Sequence, residues 1–486
     1  MPDARITLVE PPPEALDFMY AFPRQRPAAS AIRTTNALQR AALLAVSVLI
    51  ALCFLLDWTA TLIALNGLFL AFYLATVAFK AYLMDLSVGA RRELSFTEDD
   101  IAALDDATLP VYSILVPLYR EAACLPRLLD GLRALDYPKD RLDILLLLEE
   151  DDHETRRAVE FVDLPRYVRV AVTPDCQPKT KPKACNLGLA LARGEHIVVY
   201  DAEDRPEPDQ LKKAVLGFRR CGQDVVCLQA KLDFYNQRQN LLTRLFTTDY
   251  AIWFDLFLPG LDRLGAPIPL GGTSNHFRAA DLRRLLGWDP YNVTEDCELG
   301  VRLALEGKRA RMMDSTTWEE ACSSLPYWVR QRSRWTKGYI QTYLAHQRRP
   351  FGLVRRLGLA KTFSFHVMIG GTFLCLLANP VYWALTVLWF TFRWETFADL
   401  FPYPLVLWGL LCLFVGNFIF VYAAVLATYN RGYYDLVKHC LLVPLYWVMT
   451  SVGAWKGFVQ LLARPSYWEK TLHGLDQRAG RPPDAS

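Results

Sequence analysis

The sequence predicts an α/β domain inserted between transmembrane α-helices. Three observations predict it. The 486 residues are 52% hydrophobic and 22% charged, with a positive mean hydropathy of +0.11. The apolar residues gather in runs of bilayer length toward both ends of the chain. Between those runs, residues 88–350 alternate short β-rich segments with helical patterns. So much apolar surface excludes a disordered chain, and 26 glycines with 29 prolines exclude a collagen-like one. A net charge of +3, from 54 basic and 51 acidic residues, carries no footprint of a nucleic-acid binder. The eleven cysteines are scattered without a C-x-x-C pair, so they read as reduced core thiols of a cytosol-facing protein, not as a zinc ribbon or disulfide scaffold.

Residues 1–37 read as a flexible tail with Pro11, Pro12 and Pro13 and several arginines. Residues 38–84 read as a transmembrane hairpin, interrupted at Asp57 and Trp58; each run approaches the roughly 20 apolar residues that a crossing needs. No small-residue cleavage site follows the first run, so it reads as a retained span. The preceding arginines favour a cytoplasmic N-terminus, with return to the cytosol near Asp85, ahead of Arg91 and Arg92. Within the domain at 85–350, strands are expected at 111–117, 142–148, 196–201 and 225–230, with helices at 122–134 and 184–193. The 142–148 run is nearly all apolar, as in a strand buried on both faces. This alternation predicts a parallel sheet covered by helices, with ligands beyond the carboxyl ends of its strands. Residues 351–463 hold three apolar runs of transmembrane or interfacial type, and 464–486 form a basic tail with Arg464, Lys470, Arg478 and Arg481. Two spans before the domain and three after it would put that tail outside, against the positive-inside rule. Either one C-terminal run is re-entrant or interfacial, or 363–392 is two short elements broken at Pro380.

Chemistry-bearing residues cluster at the expected strand ends. Glu149, Glu150, Asp151 and Asp152 follow the second strand; the bland reading is a solvated loop, the functional one a contact to ribose or base. Asp201 and Glu203 alternate in an extended segment and so point the same way. Two such hard oxygen donors plus a diphosphate make an ordinary Mg²⁺ or Mn²⁺ site. Thr294, Glu295 and Asp296 offer a general base, although the same triplet also opens a helix. Gln331, Arg334 and Trp335 offer a diphosphate clamp and an aromatic platform, against the alternative of interface anchors. Lys179, Lys181 and Lys183 precede Asn186 at a helix start, which favours phosphate.

In this running order (acid after strand, K-x-x-N, D-x-E after strand, T-E-D, Q-x-x-R-W), the stretch from Tyr112 to Tyr339 resembles family 2 inverting glycosyltransferases, within the processive, membrane-integrated cellulose-synthase-like branch. The resemblance implies an α/β GT-A fold, Rossmann-like and built for a nucleotide-sugar donor, most often UDP-linked. It implies that Glu149, helped by Asp151, contacts the nucleoside, although the family's usual Asp-Asp-Gly is absent here. Lys183 and Asn186 fall where the family contacts the nucleotide, and Asp201 and Glu203 match its D-x-D metal motif with Glu in second place. Asp296 matches the catalytic base, with Glu295 beside it, and Gln331, Arg334 and Trp335 match the acceptor and diphosphate motif. The implied activity is hexosyl transfer to a growing polysaccharide or glycan acceptor, processive and coupled to export. The implied setting is the inner (cytoplasmic) membrane, multi-pass and in contact with lipid, with the catalytic domain cytosolic and room for a second copy or an export partner. In the apolar runs Trp383, Trp389, Trp408, Tyr422, Trp447 and Trp455 are candidates for stacking on sugar rings in a channel, against a role as interface anchors. The competing readings are non-processive transfer to a lipid-phosphate carrier and a catalytically silent receptor or secretion scaffold.

Overall fold

The computed structural model describes residues 7–88, 93–392 and 399–469. Residues 1–6, Arg91, Arg92, Lys470, Arg478 and Arg481 therefore lie outside the described residues. Nine strands form one sheet: β1 (Thr7–Val9), β2 (Tyr112–Leu118), β3 (Leu142–Glu149), β4 (Val168–Thr173), β5 (His196–Val199), β6 (Arg205–Pro206), β7 (Val225–Phe234), β8 (Asn275–Arg278) and β9 (Arg309–Glu319). Their spatial order is β1-β4-β3-β2-β5-β8-β7-β9-β6. The run from β1 to β5 is parallel, as the apolar alternation predicts. The all-parallel expectation fails at β8, which runs antiparallel between β5 and β7. That short strand, Asn-His-Phe-Arg, has no apolar run to reveal it.

All residues of β3 are buried. Its one charged interior residue, Asp143, is held by Arg169 of β4 at 2.6 Å and accepts from the Ser113 hydroxyl of β2 at 2.7 Å. A buried carboxylate is tolerated only with such partners.

The longer helices are α1 (Ala37–Leu56), α2 (Trp58–Val88), α3 (Lys181–Leu191), α4 (Glu295–Leu305), α5 (Leu325–His346), α6 (Leu359–Trp389), α7 (Tyr403–Asn430) and α8 (Val437–Ala463). Among the described residues, α1, α2, α6, α7 and α8 are long and apolar enough to cross a membrane. No residue of α1 is buried against the rest of the protein, so its surface is made for an apolar surrounding. Helix α6 passes through Pro380 unbroken, which corrects the expectation of two short elements. Helix α7 returns toward the sheet, where Arg431 just beyond it meets Asp233 at 2.9 Å and also binds Asp255.

Helix α8 differs from the other four. Just before its start, Asp435 pairs with Arg238 at 2.8 Å; early in the helix, His439 meets Arg244 at 3.1 Å. Just beyond its end, the carbonyls of Pro465 and Tyr467 accept from Gln341 and Lys337 of α5. Along its length α8 lies parallel to α5, with Tyr446 against Trp328 and Gly457 against Ser333. Both ends are thus tied to the α/β domain.

The flexible tail expected at 1–37 is corrected over its described part. Strand β1 pairs with β4 at the sheet edge, Leu8 opposite Val170. Phe22 is fully buried beneath the Arg302 guanidinium. The Ser30 hydroxyl and the Ala31 amide both donate to Asp289, at 2.9 and 2.6 Å. The open edge of β4 supplies the partner that a three-residue strand cannot find alone.

Candidate active site

A cavity of about 1030 Å³ opens beyond the carboxyl ends of the central strands and continues between α2, α6, α7 and α8. Asp201, Glu203, Glu295, Asp296, Gln331, Arg334 and Trp335 all line it, as does Glu149. Glu149 and Trp335, 186 positions apart in the chain, thus face one space.

Strand β3 ends at Glu149, which is buried and bound to Lys183 at 3.0 Å. Burial raises its carboxyl above the usual range, and Lys183 opposes that. Asp151 pairs with Lys179 at 2.6 Å, and this bond holds its carboxyl below the usual range. Asp152 caps the helix His153–Glu160, accepting from the Thr155 amide, which is the bland role for part of the acidic run.

Lys183 and Asn186, expected at the nucleotide, lie behind the cavity wall. Both are fully buried, and neither lines the cavity. Lys183 donates to Glu149 and to the Pro174 and Cys176 carbonyls. Asn186 donates to the Met19 and Trp288 carbonyls, fastening the N-terminal segment to the loop before α4. Lys181, largely buried, lines the cavity instead. Its ammonium lies 2.5 Å from Asp201 and donates to the Gly272 carbonyl at 2.8 Å. Burial works against that charge, but Asp201, Cys185 and Glu295 outweigh it and raise its pKa.

Four carboxyls crowd the far wall. Asp204 accepts from the Asp201 amide at 2.7 Å and from the Thr273 hydroxyl, while its other oxygen, buried, has no partner. Burial, then Asp201 and Glu203, push the Asp204 carboxyl well up. Glu319, at the end of β9, is pushed up by burial and then by Asp204, Glu203 and Asp201; the sequence reading missed it. Among the described residues no three His, Cys, Asp or Glu side chains are arranged as a complete metal site. A hard cation at Asp201 and Glu203 would therefore have to take further oxygens from a ligand. The unpaired Asp204 oxygen and the all-carboxyl donor set fit such a cation.

Helix α4 opens with Glu295 and Asp296, both on the cavity wall. Burial, then Asp296, raises the Glu295 carboxyl to about 8. Burial also raises Asp296, against the amide of Cys297, which donates to it at 2.7 Å, and against Lys181 and Arg334. Helix α5 comes close enough to complete the site because position 338 is glycine: a Cβ there would lie 2.3 Å from the Thr294 hydroxyl. On α5, Arg334 feels Glu295, Asp296 and Asp201 and stacks on Trp468 at 4.5 Å. Gln331 Oε1 and Arg334 Nε are buried without partners, so both present polar capacity to a ligand. Trp335 packs on Phe246 and Tyr250 beneath Arg332, whose guanidinium binds Asp249 at 2.6 Å.

The segment 466–469, read beforehand as part of a basic tail, lies on the cavity wall through Tyr467, Trp468 and Glu469. Of the six candidate channel aromatics only Trp447 lines the cavity. Trp408 and Tyr422 are exposed outward, and Trp455 donates to the Leu377 carbonyl. The membrane half is walled instead by Tyr73, Trp253, Phe254, Phe257 and Phe420.

Residues 196–398 match the protein family described as glycosyl transferase family group 2. The chain is 29% identical over 260 residues to a probable glycosyltransferase, YdaM, of Bacillus subtilis, covering 53% of this chain and 62% of that one. It is 28% identical over 265 residues to a beta-monoglucosyldiacylglycerol synthase of Nostoc, covering 53% and 54%. It is 24% identical over 250 residues to glucomannan 4-beta-mannosyltransferase 1 of Oryza sativa, covering 49% and 47%. The chain thus spans between about half and three-fifths of the length of these curated relatives. Among solved structures it is similar in fold to the mannosyltransferase PcManGT of Pyrobaculum calidifontis, determined in complex with GDP-Man and Mn²⁺. The TM-score is 0.52 at 19% identity, over 82% of this chain and 99% of that one. The family match and these relatives together support a glycosyltransferase family 2 domain, built here on a GT-A-like mixed α/β sheet and flanked by apolar helices.

Proposed function

We propose that this protein is a membrane-integrated inverting glycosyltransferase of the cellulose-synthase-like kind, moving a sugar from a nucleotide-sugar donor onto a growing glycan. The observation that carries the reading is the single cavity that gathers Asp201, Asp296 and Arg334 and continues between the apolar helices. A donor diphosphate beside Asp201 meets Lys181 and Arg334, whose charges offset the two negative charges it carries and the further one that develops as the sugar leaves. Glu149 and the Lys179–Asp151 pair bound the side where the nucleoside lies. When bound by Asp201 and Glu203, Mg²⁺ or Mn²⁺ supplies Lewis-acid stabilisation of the departing diphosphate.

Asp296 takes the proton from the acceptor hydroxyl as that oxygen bonds to the anomeric carbon and the sugar–phosphate bond breaks, with one inversion of configuration. Glu295, held protonated near neutral pH, donates a hydrogen bond and does not compete as the base. The acceptor reaches the site from the membrane half, where aromatic walls suit sugar faces, and repeated addition sends the product along the same path toward export. The PcManGT complex with GDP-Man makes a GDP-linked donor worth testing beside a UDP-linked one.

The testing experiment is a screen of UDP- and GDP-sugars on the purified protein in lipid, with and without Mn²⁺, followed by the length and anomeric linkage of the product. A product with inverted configuration and a ladder of lengths supports the reading. A single-sugar glycolipid supports non-processive transfer, and no turnover of any donor supports the silent scaffold.

A further inference from the structure

One face of α2 lines the cavity at Tyr73, Thr76, Val77 and Lys80, the i, i+3, i+4, i+7 spacing of a helix stripe. The stripe ends on a charge. The Lys80 ammonium sits 5.5 Å from the centre of the Phe257 ring and 5.4 Å from that of Phe420. Among the described residues it has no ion pair and no hydrogen bond. Asp249, the carboxylate whose field reaches it, is engaged by Arg332 at 2.6 Å. The other walls of this half carry aromatic rings with neutral Thr372, Asn379 and Thr450 and the Cys375 thiol, a titratable group that also acts on Lys80. Two aromatic faces stabilise an ammonium, but they leave its three N–H donors unmet. A charged group on an apolar helix that faces an interior cavity calls for a partner.

The two halves of the cavity therefore differ in how their charges are met. Asp201, Glu203, Glu295, Asp296 and Glu319 share one half with Lys181 and Arg334, whereas Lys80, on the helix-walled half, has no ion-pair partner among the described residues. An acceptor lying along it presents a hydroxyl to the acid-rich end and is best met at Lys80 by negative charge. We propose that Lys80 binds an oxyanion carried by the acceptor, at a distance from the reacting hydroxyl. That oxyanion is either the carboxylate of an acidic sugar within the glycan or the phosphate of a lipid-linked sugar. This inference names a substrate class for the transferase reading and rests on it.

Equilibrium binding without donor tests it, using the full-length protein in nanodiscs and Trp253 and Trp447 on the cavity wall as fluorescent reporters. Three probes are compared: a neutral cello-oligosaccharide, an oligouronate of equal length, and a monosaccharide linked through diphosphate to a short prenyl chain. The expected result is that Lys80→Met weakens one anionic probe by ~10-fold or more, as loss of a partly desolvated ion pair does. The neutral probe then changes less than about 2-fold, and Lys80→Arg restores the preference. Which anionic probe responds identifies its source. Equal weakening of all three probes, or no weakening of either anionic one, overturns the proposal, because Lys80 then only packs. Nucleoside-diphosphate binding, measured on the same protein, is the separate control. If it is absent while Lys80-dependent oxyanion binding persists, the transferase reading fails and this site stands.

Discussion

Glu295 and Asp296 are neighbours in the chain and share one cavity, yet their environments set them apart. Glu295 is held protonated up to about pH 8 by burial and by Asp296, which accords with the proposed role of Asp296 as the base. Asp296→Asn is expected to retain nucleoside-diphosphate binding and lose ~10²–10⁴-fold in turnover. A base must be unprotonated to act, and burial raises Asp296. Wild-type kcat/KM should therefore climb with pH through an inflection above the usual carboxylate range. Stability runs the other way. The folded state holds the Glu295 proton to higher pH than the unfolded chain, so this carboxyl costs stability as pH rises from about 4.5 to about 8. Glu295→Gln should raise the thermal midpoint over wild type more at pH 9 than at pH 5, and a gap independent of pH would refute the assignment. The Lys183–Glu149 pair is buried, so Lys183→Met alone should destabilise by ~3–5 kcal/mol in denaturant melts. The double variant with Glu149→Gln should recover part of that loss, because no charge is then left buried and unpaired.

Which lysine faces the ligand was not legible in the sequence. Lys181 and Lys183 are two residues apart on a helix, about 200° around its axis, so only one can face the cavity. Helix phase decides, and the sheet that sets that phase is assembled from distant segments. Asp201 and Glu203 were legible because a strand end fixes their direction, since they follow β5; Asp296 stood out only as part of the acidic triplet that opens α4.

At the scale of elements, the site is completed by helix contact. Gly338 lets α5 reach Thr294, and Gly457 lets α8 reach α5, where a Cβ would lie 2.4 Å from the Ser333 carbonyl. That neighbour is backbone and cannot swing aside. Gly457→Ala is therefore expected to cost ~1–3 kcal/mol and to lower turnover by displacing the helix that carries Arg334. Thermal melts and steady-state rates would check both effects. Strands β2, β3 and β5 were legible as continuous apolar runs. Strands β1, β6 and β8 were not, since each is only two to four residues long and is defined by its partner.

For the whole molecule, the ties at both ends of α8 bear on the parity of membrane crossings. Were α8 to lie along the membrane boundary beside α5, the other four apolar helices, α1, α2, α6 and α7, would be the ones that cross. The arginines before α1, the α/β domain and the 464–469 segment then share one side, as the positive-inside rule asks. In a cysteine-free background, single cysteines at Asp57 and Pro402 should react with an impermeant thiol reagent from one face of sealed vesicles, and one at Arg464 only from the other. Labelling of Arg464 from the same face as Pro402 would mean that α8 crosses.

Strand β1 leaves the ribosome about 160 residues before its partner β4, with α1 and α2 made in between. The first strand must therefore wait, unpaired, until both apolar helices and most of the parallel sheet have been made. If the two helices cross a bilayer as a hairpin, β1 can close the sheet only when the chain on either side of that hairpin is left in the same compartment. A hairpin inserted otherwise would strand β1 across the bilayer from β4, so the β1–β4 pairing requires one topology for the hairpin.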